Sequence, residues 1–359
     1  MSVRYSNLAG FWLGEGNISA SPVFVDPDGP DDVPGTLDDD FRLRAVSLLV
    51  NAGLNGAVPF GVETDILGEP RITHNTVDMG AYEFQGSFSW YVDGAHGSDL
   101  NDGMTPETAF ATIQRGINAA STGFTVAVYP GIYHEALDFR GKAITVTGVA
   151  DAPVLQVSGN YAVSFYTAEG ADTVLRNFVI TGCEIGAFIM GSSPTITNVT
   201  IAGNGFGVTA YAGANPKIRN CIFWSNSGGD LYGCTATYSC IQEGVPGPGN
   251  FSANPLFADP AARDYHLKST RGRYDPVGEV WVLDDVTSPC IDAGDPDLDV
   301  DDEPAPHGRR VNLGAYGRSP TASLSDRSIP GDVNGDGLVN LLDIAVIADN
   351  WLQSALWAQ

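Results

Sequence analysis

Three segments of this chain, LRNFVI from Leu175, ITNVTI from Ile196 and IRNCIF from Ile218, recur 21 and 22 residues apart, and YSCI from Tyr238 continues the series. Each unit holds an apolar residue, a polar one, an Asn and then alternating apolar positions. That is a strand, a turn and a second strand, with a period of two residues along each strand. A unit of about twenty residues cannot bury its own apolar face. Stacked at about 4.8 Å, such units share backbone hydrogen bonds and enclose one continuous core, so the pattern predicts a parallel β-solenoid. Asn177, Asn198 and Asn220 then fall at successive aligned turns, because Asn tolerates the left-handed backbone conformation. Their side-chain amides are expected to bond along the ladder, with Ser239 on the next rung. The same register puts Phe178, Val199, Cys221 and Cys240 in one inward column, so these cysteines read as core, with a disulfide as the alternative. Gly186, Gly207 and Gly229 mark a second aligned turn.

A longer duplication frames this array. YSNLAGFWLGEGNISASPVFVDP from Tyr5 matches YSCIQEGVPGPGNFSANPLFADP from Tyr238 at a constant offset of 233. SLLVNAG at Ser47 then answers SPCIDAG at Ser288, and VDMGAYE at Val77 answers VNLGAYG at Val311. Residues 1–86 therefore repeat the end of the later domain and are expected to be terminal coils and cap of a preceding solenoid. They would be packed beside the second solenoid or partly unfolded. Cys290 aligns with Leu49, which makes it a small apolar core residue.

From Trp90 to Tyr316 the chain resembles the pectin-lyase-like superfamily of right-handed parallel β-helices. The resemblance rests on the repeat and on YVDGAHGSDLNDGMTPETAFATIQRGINAA followed by TVAVYPGIYHEALDFRGKAITVTG, similar to the opening of many secreted β-helix proteins. Read from its residues, the opening holds a short amphipathic helix with Phe110, Ile113 and Ile117 on one face and Pro106 near its start. Such a helix caps the first coil, which would otherwise offer an unpaired strand edge. The expected organisation is all-β, with residues 1–86 as the partial repeat, 87–318 as the β-helix with its C-terminal cap, 319–329 as linker and 330–359 as a small calcium loop-helix.

That last segment carries the sharpest motif. DVNGDGLVNLLD places Asp332, Asn334 and Asp336 at alternate positions, Gly337 sixth and Asp343 twelfth, with Leu338 offering its carbonyl and Asn340 acting through water. Hard oxygen ligands in this pattern suit Ca²⁺. With a helix over residues 344–352 after it, the segment resembles half of a type I dockerin. That resemblance implies attachment to a cohesin-like scaffold, although Leu341 and Leu342 stand where dockerins often carry polar recognition residues and only one loop-helix unit is present. A second acidic stretch, VDPDGPDDVPGTLDDDF, is a nine-residue insertion relative to the later copy, since Asp26 aligns with Asp259 and Asp40 with Asp264. Cation binding and a hydrated mobile loop both relieve its charge repulsion. DPDLDVDDE, from Asp295, has the same two readings.

Charge narrows the partners. The 359 residues include 43 acidic and 18 basic ones, a formal net charge of -25, which repels phosphate backbones and anionic lipid and so argues against nucleic-acid and membrane-surface roles. No span has the ~20 apolar residues that cross a bilayer, and no secretory signal is legible in the first fifteen residues. Five cysteines without a CxxC pair suggest neither a disulfide scaffold nor a zinc site.

Catalytic candidates are few. A β-helix polysaccharide lyase needs a base near an acidic C–H and cations to hold the developing enolate charge. Arg176 and Arg219 share one outward column with Thr197 between them, and Lys217 lies beside it. A solvated strand face has the same appearance, and no RxPxxR lyase signature is present. Nor does any of the five histidines stand in a GHG motif of the polygalacturonase kind. His134-Glu135 reads as a loop pair. An anionic pectin would meet a strongly acidic surface, so neutral glycans bind more easily. The expected function is a polysaccharide-binding β-helix protein, extracellular or at the cell surface, with Ca²⁺ in its tail. The alternative is a calcium-dependent polysaccharide lyase or glycoside hydrolase.

Overall fold

The computed structural model describes residues 3–10, 12–300, 302–326, 339 and 341–355. Its centre is the parallel β-helix that the repeat predicts. Each coil contributes up to three strands. Face one stacks Ser89–Val92, Thr125–Val128, Thr145–Gly148, the first half of Val174–Thr181, the first half of Thr195–Ala202, Lys217–Arg219 and Ala236–Thr237, all in parallel. Face two stacks Ile132–Tyr133, Val154–Gln156, the second halves of the same two long strands, Ile222–Trp224 and Cys240–Ile241. Face three is a five-stranded sheet from Leu137–Asp138 to Gly229–Tyr232. Alternate residues of the three faces point inward, and Val126, Leu175, Ile196, Phe178, Phe223, Val163 and Ala187 meet in one dry core.

Asn177, Asn198 and Asn220 stand at the corner between faces one and two with φ of 57°, 52° and 55°. In that conformation the inward-outward alternation is reset, so Leu175 and Phe178 can both face the core. Their amides do not run along the ladder. Asn177 Nδ2 donates to the carbonyls of Ala315 (3.0 Å) and Gly317 (2.7 Å), and Asn198 Nδ2 donates to Asn312 O (3.1 Å). Asn220 Oδ1 accepts the Asp295 amide at 2.8 Å. These side chains therefore point out, onto the later part of the chain. The axial amide ladder lies instead at the corner between faces two and three, where Asn204 Nδ2 donates to Asn226 Oδ1 (3.2 Å) and Cys183 N to Asn204 Oδ1 (3.2 Å).

Two more register readings need correction. Ile222 pairs with Cys240 and Phe223 with Ile241, so Tyr238, at φ 46°, takes the left-handed corner and Ser239 continues the column of Cys221. Cys240 therefore faces outward, beside Cys290. All five cysteines are free thiols. Gly186 and Gly207 do align, but within face three rather than at a turn. A Cβ on either would strike the next coil's carbonyl, Gly207 O at 2.7 Å or Asp230 O at 2.3 Å. Gly229 is one residue out of that register.

The helix that closes the first coil spans Ile113–Ala119 and buries Ile113, Gly116 and Ile117. It begins later than the sequence suggested: Pro106–Thr108 forms a separate 3-10 turn, and Phe110 is extended, bridged to Val92. Glu135 accepts the Ile113 and Gln114 amides at 2.7 and 2.9 Å, and Lys142 Nζ donates to the carbonyls of Ile117, Asn118 and Ala120. Opposite charges thus meet both helix ends.

After Ile241 the chain leaves the coils and folds back as a cover over the outer side of face two. Phe257–Asp259 pairs antiparallel with Asp264–Leu267, and Arg273–Asp275 with Val280–Val282. Val179, Ala202, Ile222 and Cys240, outward on face two, are buried beneath Tyr265, Leu267, Leu313, Ala315 and Tyr316. Residues 3–86 repeat this cover. Phe24–Asp26 pairs with Asp40–Leu43 through the same bulged register, and Asn17 bonds the Ser6 amide at 3.2 Å as Asn250 bonds that of Ser239 at 3.1 Å. Left-handed residues recur at Tyr5 and Tyr238, Val23 and Leu256, and Asn51 and Asp292. This first copy packs against Phe124 at the start of the β-helix through His74 and Phe84, with Leu49 in the same buried cluster.

Replacing Asn198 by Ala removes both the tolerance for positive φ and the bond to Asn312 O. The expected loss is about 1–3 kcal/mol in urea unfolding. Asn198→Gly should lose less, because only the amide contact disappears; equal losses would refute the conformational part of this account.

Candidate functional site

Face one gives the predicted cations their geometry. Register aligns Thr147, Arg176, Thr197, Arg219 and Thr237 in one outward column, and Thr195 with Lys217 in the next. Arg176 is half-buried and donates through Nε to Thr147 Oγ1 at 3.1 Å. Burial, and then the neighbouring Arg318, hold its pKa below the usual guanidinium range, with Asp302 opposing them. Arg219 lies 3.4 Å from Asp295, and Lys217 is exposed. Two clefts lie along this trough. One, of about 410 Å³, is lined by Thr195, Lys217, Arg219, Thr237 and Asp295. The other, of about 240 Å³, is lined by Thr147, Arg176, Thr197, Asp302 and Arg318. The acidic run from Asp295 forms part of one wall, so its nearest carboxylate neutralises a cation of the column.

The other sequence candidates scatter. Asp332, Asn334, Asp336, Leu338 and Asn340 lie outside the described residues. Asp343 is buried in the first turn of the helix Leu341–Ala355, while Leu341, Leu342 and Ile344 are exposed. His134 Nδ1 bonds Gln156 O at 2.9 Å, and Glu135 serves the capping helix. Within the Asp26–Asp40 loop, the Thr36 hydroxyl donates to Asp38 Oδ1 at 2.6 Å and Asp39 accepts the Gly35 amide.

A constellation the sequence reading missed sits where the cover meets faces one and two. His266, fully buried, stacks on Tyr316 with ring centroids 3.7 Å apart. Its Nδ1 is 2.7 Å from Asp264 Oδ1 and its Nε2 3.3 Å from Asp151 Oδ1, the latter too bent for a good hydrogen bond. Arg273 then joins Asp264 (3.1 Å) to Asp284 (3.2 Å). Asp151, Asp264, Arg273 and Asp284 line an open cleft of about 590 Å³. Burial disfavours the imidazolium, yet the two carboxylates outweigh it and raise the His266 pKa. One signal was available in the duplication: Arg42, which salt-bridges Asp40, occupies the place of His266.

Face three carries a further surface feature, a chain of ring contacts through Tyr161, Phe188, Tyr211 and Tyr232 that steps across the register. Tyr161 and Phe188 stack at 4.5 Å, and the later rings splay at 42° and 45°. Among the described residues no helix is long and apolar enough to cross a membrane.

Residues 154–294 match a family described as "Disaggregatase related", a span that joins coils and cover but is less than half of the chain. No curated protein matches significantly. Two solved structures are similar in part, both of GH136 lacto-N-biosidase from Eubacterium ramulus. The selenomethionine derivative is 13% identical with a TM-score of 0.32 over 43% of this chain and 41% of that one. The native protein is 14% identical with a TM-score of 0.30 over 45% and 39%. The chain thus spans about two fifths of the structures it resembles.

His266 generates a pH prediction. Its folded-state pKa is raised, so its contribution to stability is fully present below about pH 6.5 and is lost as pH rises through the folded value. His266→Phe keeps the stack on Tyr316 but leaves Asp151 and Asp264 facing each other. Its destabilisation, measured by thermal unfolding, should be largest near pH 6 and shrink by pH 8.5. A penalty that does not vary with pH would refute the bridge.

Proposed function

We propose that this chain is a polysaccharide-binding β-helix protein of the pectin-lyase-like kind, working outside the cell or on its surface. The observation that carries the reading is the outward column on face one. Hydroxyl and cationic donors recur there at the coil spacing of about 4.8 Å, along a trough walled on one side by the cover. A periodic donor array suits a polymer with a periodic set of oxygens better than it suits a compact ligand. Arg176 and Arg219 are fixed by Thr147 and Asp295, so little side-chain entropy is lost when they engage. Local positive charge in a trough of an otherwise acidic protein also admits carboxylated sugars beside neutral ones.

Cleavage is the second reading, and the cleft at Asp151, Asp264 and Asp284 is the observation that favours it. Paired carboxylates are what glycoside hydrolysis uses. Here His266 and Arg273 engage these carboxylates, which suits holding the cover better than transferring protons. The trough likewise offers Asp295 only as a partner already joined to Arg219, so binding is preferred over elimination at Arg176, Lys217 and Arg219.

The tail is read as a Ca²⁺ site with Asp332, Asn334, Asp336, the Leu338 carbonyl, Asn340 and Asp343 as ligands. Support comes from the spacing and from the buried position of Asp343 in the first helical turn, where the twelfth ligand of such a loop belongs. Bound Ca²⁺ would neutralise the loop's carboxylates and fix the start of the helix, a candidate attachment face for a cohesin-like scaffold.

Affinity electrophoresis against neutral glycans and polyuronates should show retention that falls at least about tenfold, ~1.4 kcal/mol, in Arg176→Ala or Arg219→Ala and stays constant in Tyr161→Ala. Ultraviolet-absorbing unsaturated products or new reducing ends, abolished by Arg176→Ala or Arg219→Ala, would replace binding by catalysis. Titration calorimetry should record Ca²⁺ heat in the intact chain and none from this loop in the Asp332→Ala, Asp336→Ala variant; identical heats would remove the calcium assignment.

A further inference from the structure

The two copies of the cover differ in what lies under them. In the second, Tyr265, Ala315 and Tyr316 are 6%, 1% and 6% exposed because they rest on Val154, Val179 and Ala202 of face two. Beside them Leu267, Cys290 and Leu313 rest on Ile222 and Cys240. In the first copy the corresponding positions Phe41, Ala81, Tyr82, Leu43, Leu49 and Met79 line an open groove of about 640 Å³, the last three buried at its floor in the cluster that includes Phe124. Phe41 is 42% exposed and Ala81 is exposed. The walls are built alike: Phe24 meets Phe41 edge-on at 5.4 Å, as Phe257 meets Tyr265 at 5.1 Å.

We propose that this groove is a docking seat for the outer face of a second parallel β-solenoid, whose last coil leads into Tyr5 as the coil at Lys217–Arg219 leads into Tyr238. The occupied copy defines what the occupant must offer. It must show aliphatic side chains on its outer face, as Val179, Ala202 and Ile222 do in two neighbouring columns. It must also place a corner carbonyl and a hydroxyl where Asn220 O and Thr200 Oγ1 accept the amides of Gly314 and Ala315 at 2.8 and 3.0 Å. The β-helix in this structure cannot be that occupant, because its own face two is already covered by residues 257–316. Nor is the groove shaped for an arbitrary apolar ligand. Tyr5 repeats the left-handed corner of Tyr238 at φ 47° against 46°, and the Ser6 amide repeats the Asn-bonded turn that follows a last coil. The path into the first cover is thus the path out of a solenoid.

The test extends the full chain. A second copy of residues 87–235 is joined to Val3, which holds the place of Ala236, so the added solenoid brings its own capping helix and enters at Tyr5. Ala81→Cys in a Cys234→Ser background reports the groove through its rate of maleimide labelling. The extended chain should label at least tenfold more slowly than the unextended one, and Phe41→Asp in the extended chain should restore fast labelling. Equal rates in the two chains would overturn the proposal. So would loss of the added residues to limited proteolysis while residues 3–326 survive, because a seat that fits this face would protect them.

Discussion

The left-handed corner between faces one and two is the constraint on which the rest depends. At Asn177, Asn198 and Asn220 the backbone turns by changing one residue's conformation, without inserting a loop. That lets the strands of two faces follow each other inside a single eight-residue element such as Val174–Thr181. The cost of positive φ is small for Asn and about 1–2 kcal/mol for most other residues, which explains the residue type. Because the amide then projects outward, the same residue that closes the coil also holds the cover. A wider core loop would close the solenoid without providing that clasp.

The clasp is polar and largely dry. Asn312 accepts the Asp292 amide (2.9 Å) and donates to Ser323 O (2.7 Å), while Glu303 Oε1 accepts the amides of Asn312 and Arg318 at 2.7 and 2.9 Å. Burial raises the Glu303 pKa to about 7 despite those two donors. In the first copy Asp78 stands where Asn312 does and accepts the Asn51 and Phe84 amides at 2.6 Å each, with its pKa raised by burial to about 6. Raised carboxyl values mean that both clasps give up stability as pH climbs through these values, the same sign as for His266. Each copy therefore holds its turn with a buried acceptor and tolerates its partial neutralisation rather than replacing it with apolar packing. Backbone amides have no apolar substitute.

The solenoid was legible because its signal is periodic and its cause is local. Strand alternation, Asn at a turn and a repeat of 21 or 22 residues each follow from backbone geometry, so their joint appearance leaves one architecture. What escaped was direction. Asn can bond along a stack or across to another layer, and only the location of the cover decides that Asn198 bonds Asn312 while Asn204 bonds Asn226. The one-residue slip at Cys240 has the same origin: the last coil is shorter, and Tyr238 replaces Asn at its corner, so extrapolating the spacing moved every later side chain to the opposite side. The cations of face one were readable, since Arg176, Thr197 and Arg219 fall in register within the regular coils. The His266 network was not, because Asp151, Asp264 and Asp284 come from three separate segments of the chain that the cover alone brings together.

The division between legible and hidden parts also separates two physical tasks. Regular coils offer identical outward positions at a fixed step, which suits recognition of a repeating ligand and requires nothing of the residues except exposure. The cover is aperiodic, and its ionisable residues hold it together and in place: Arg273 ties Asp264 to Asp284 within it, and His266 reaches Asp151 of the coils. Comparison of the copies makes the point directly. At one aligned position Arg42 grips Asp40 at the surface, whereas His266 lies fully buried between Asp151 and Asp264. The hairpin Arg273–Asp275 with Val280–Val282 adds Asp284 to the second copy. Those differences accumulate where a solenoid lies underneath, so they follow from having something to hold.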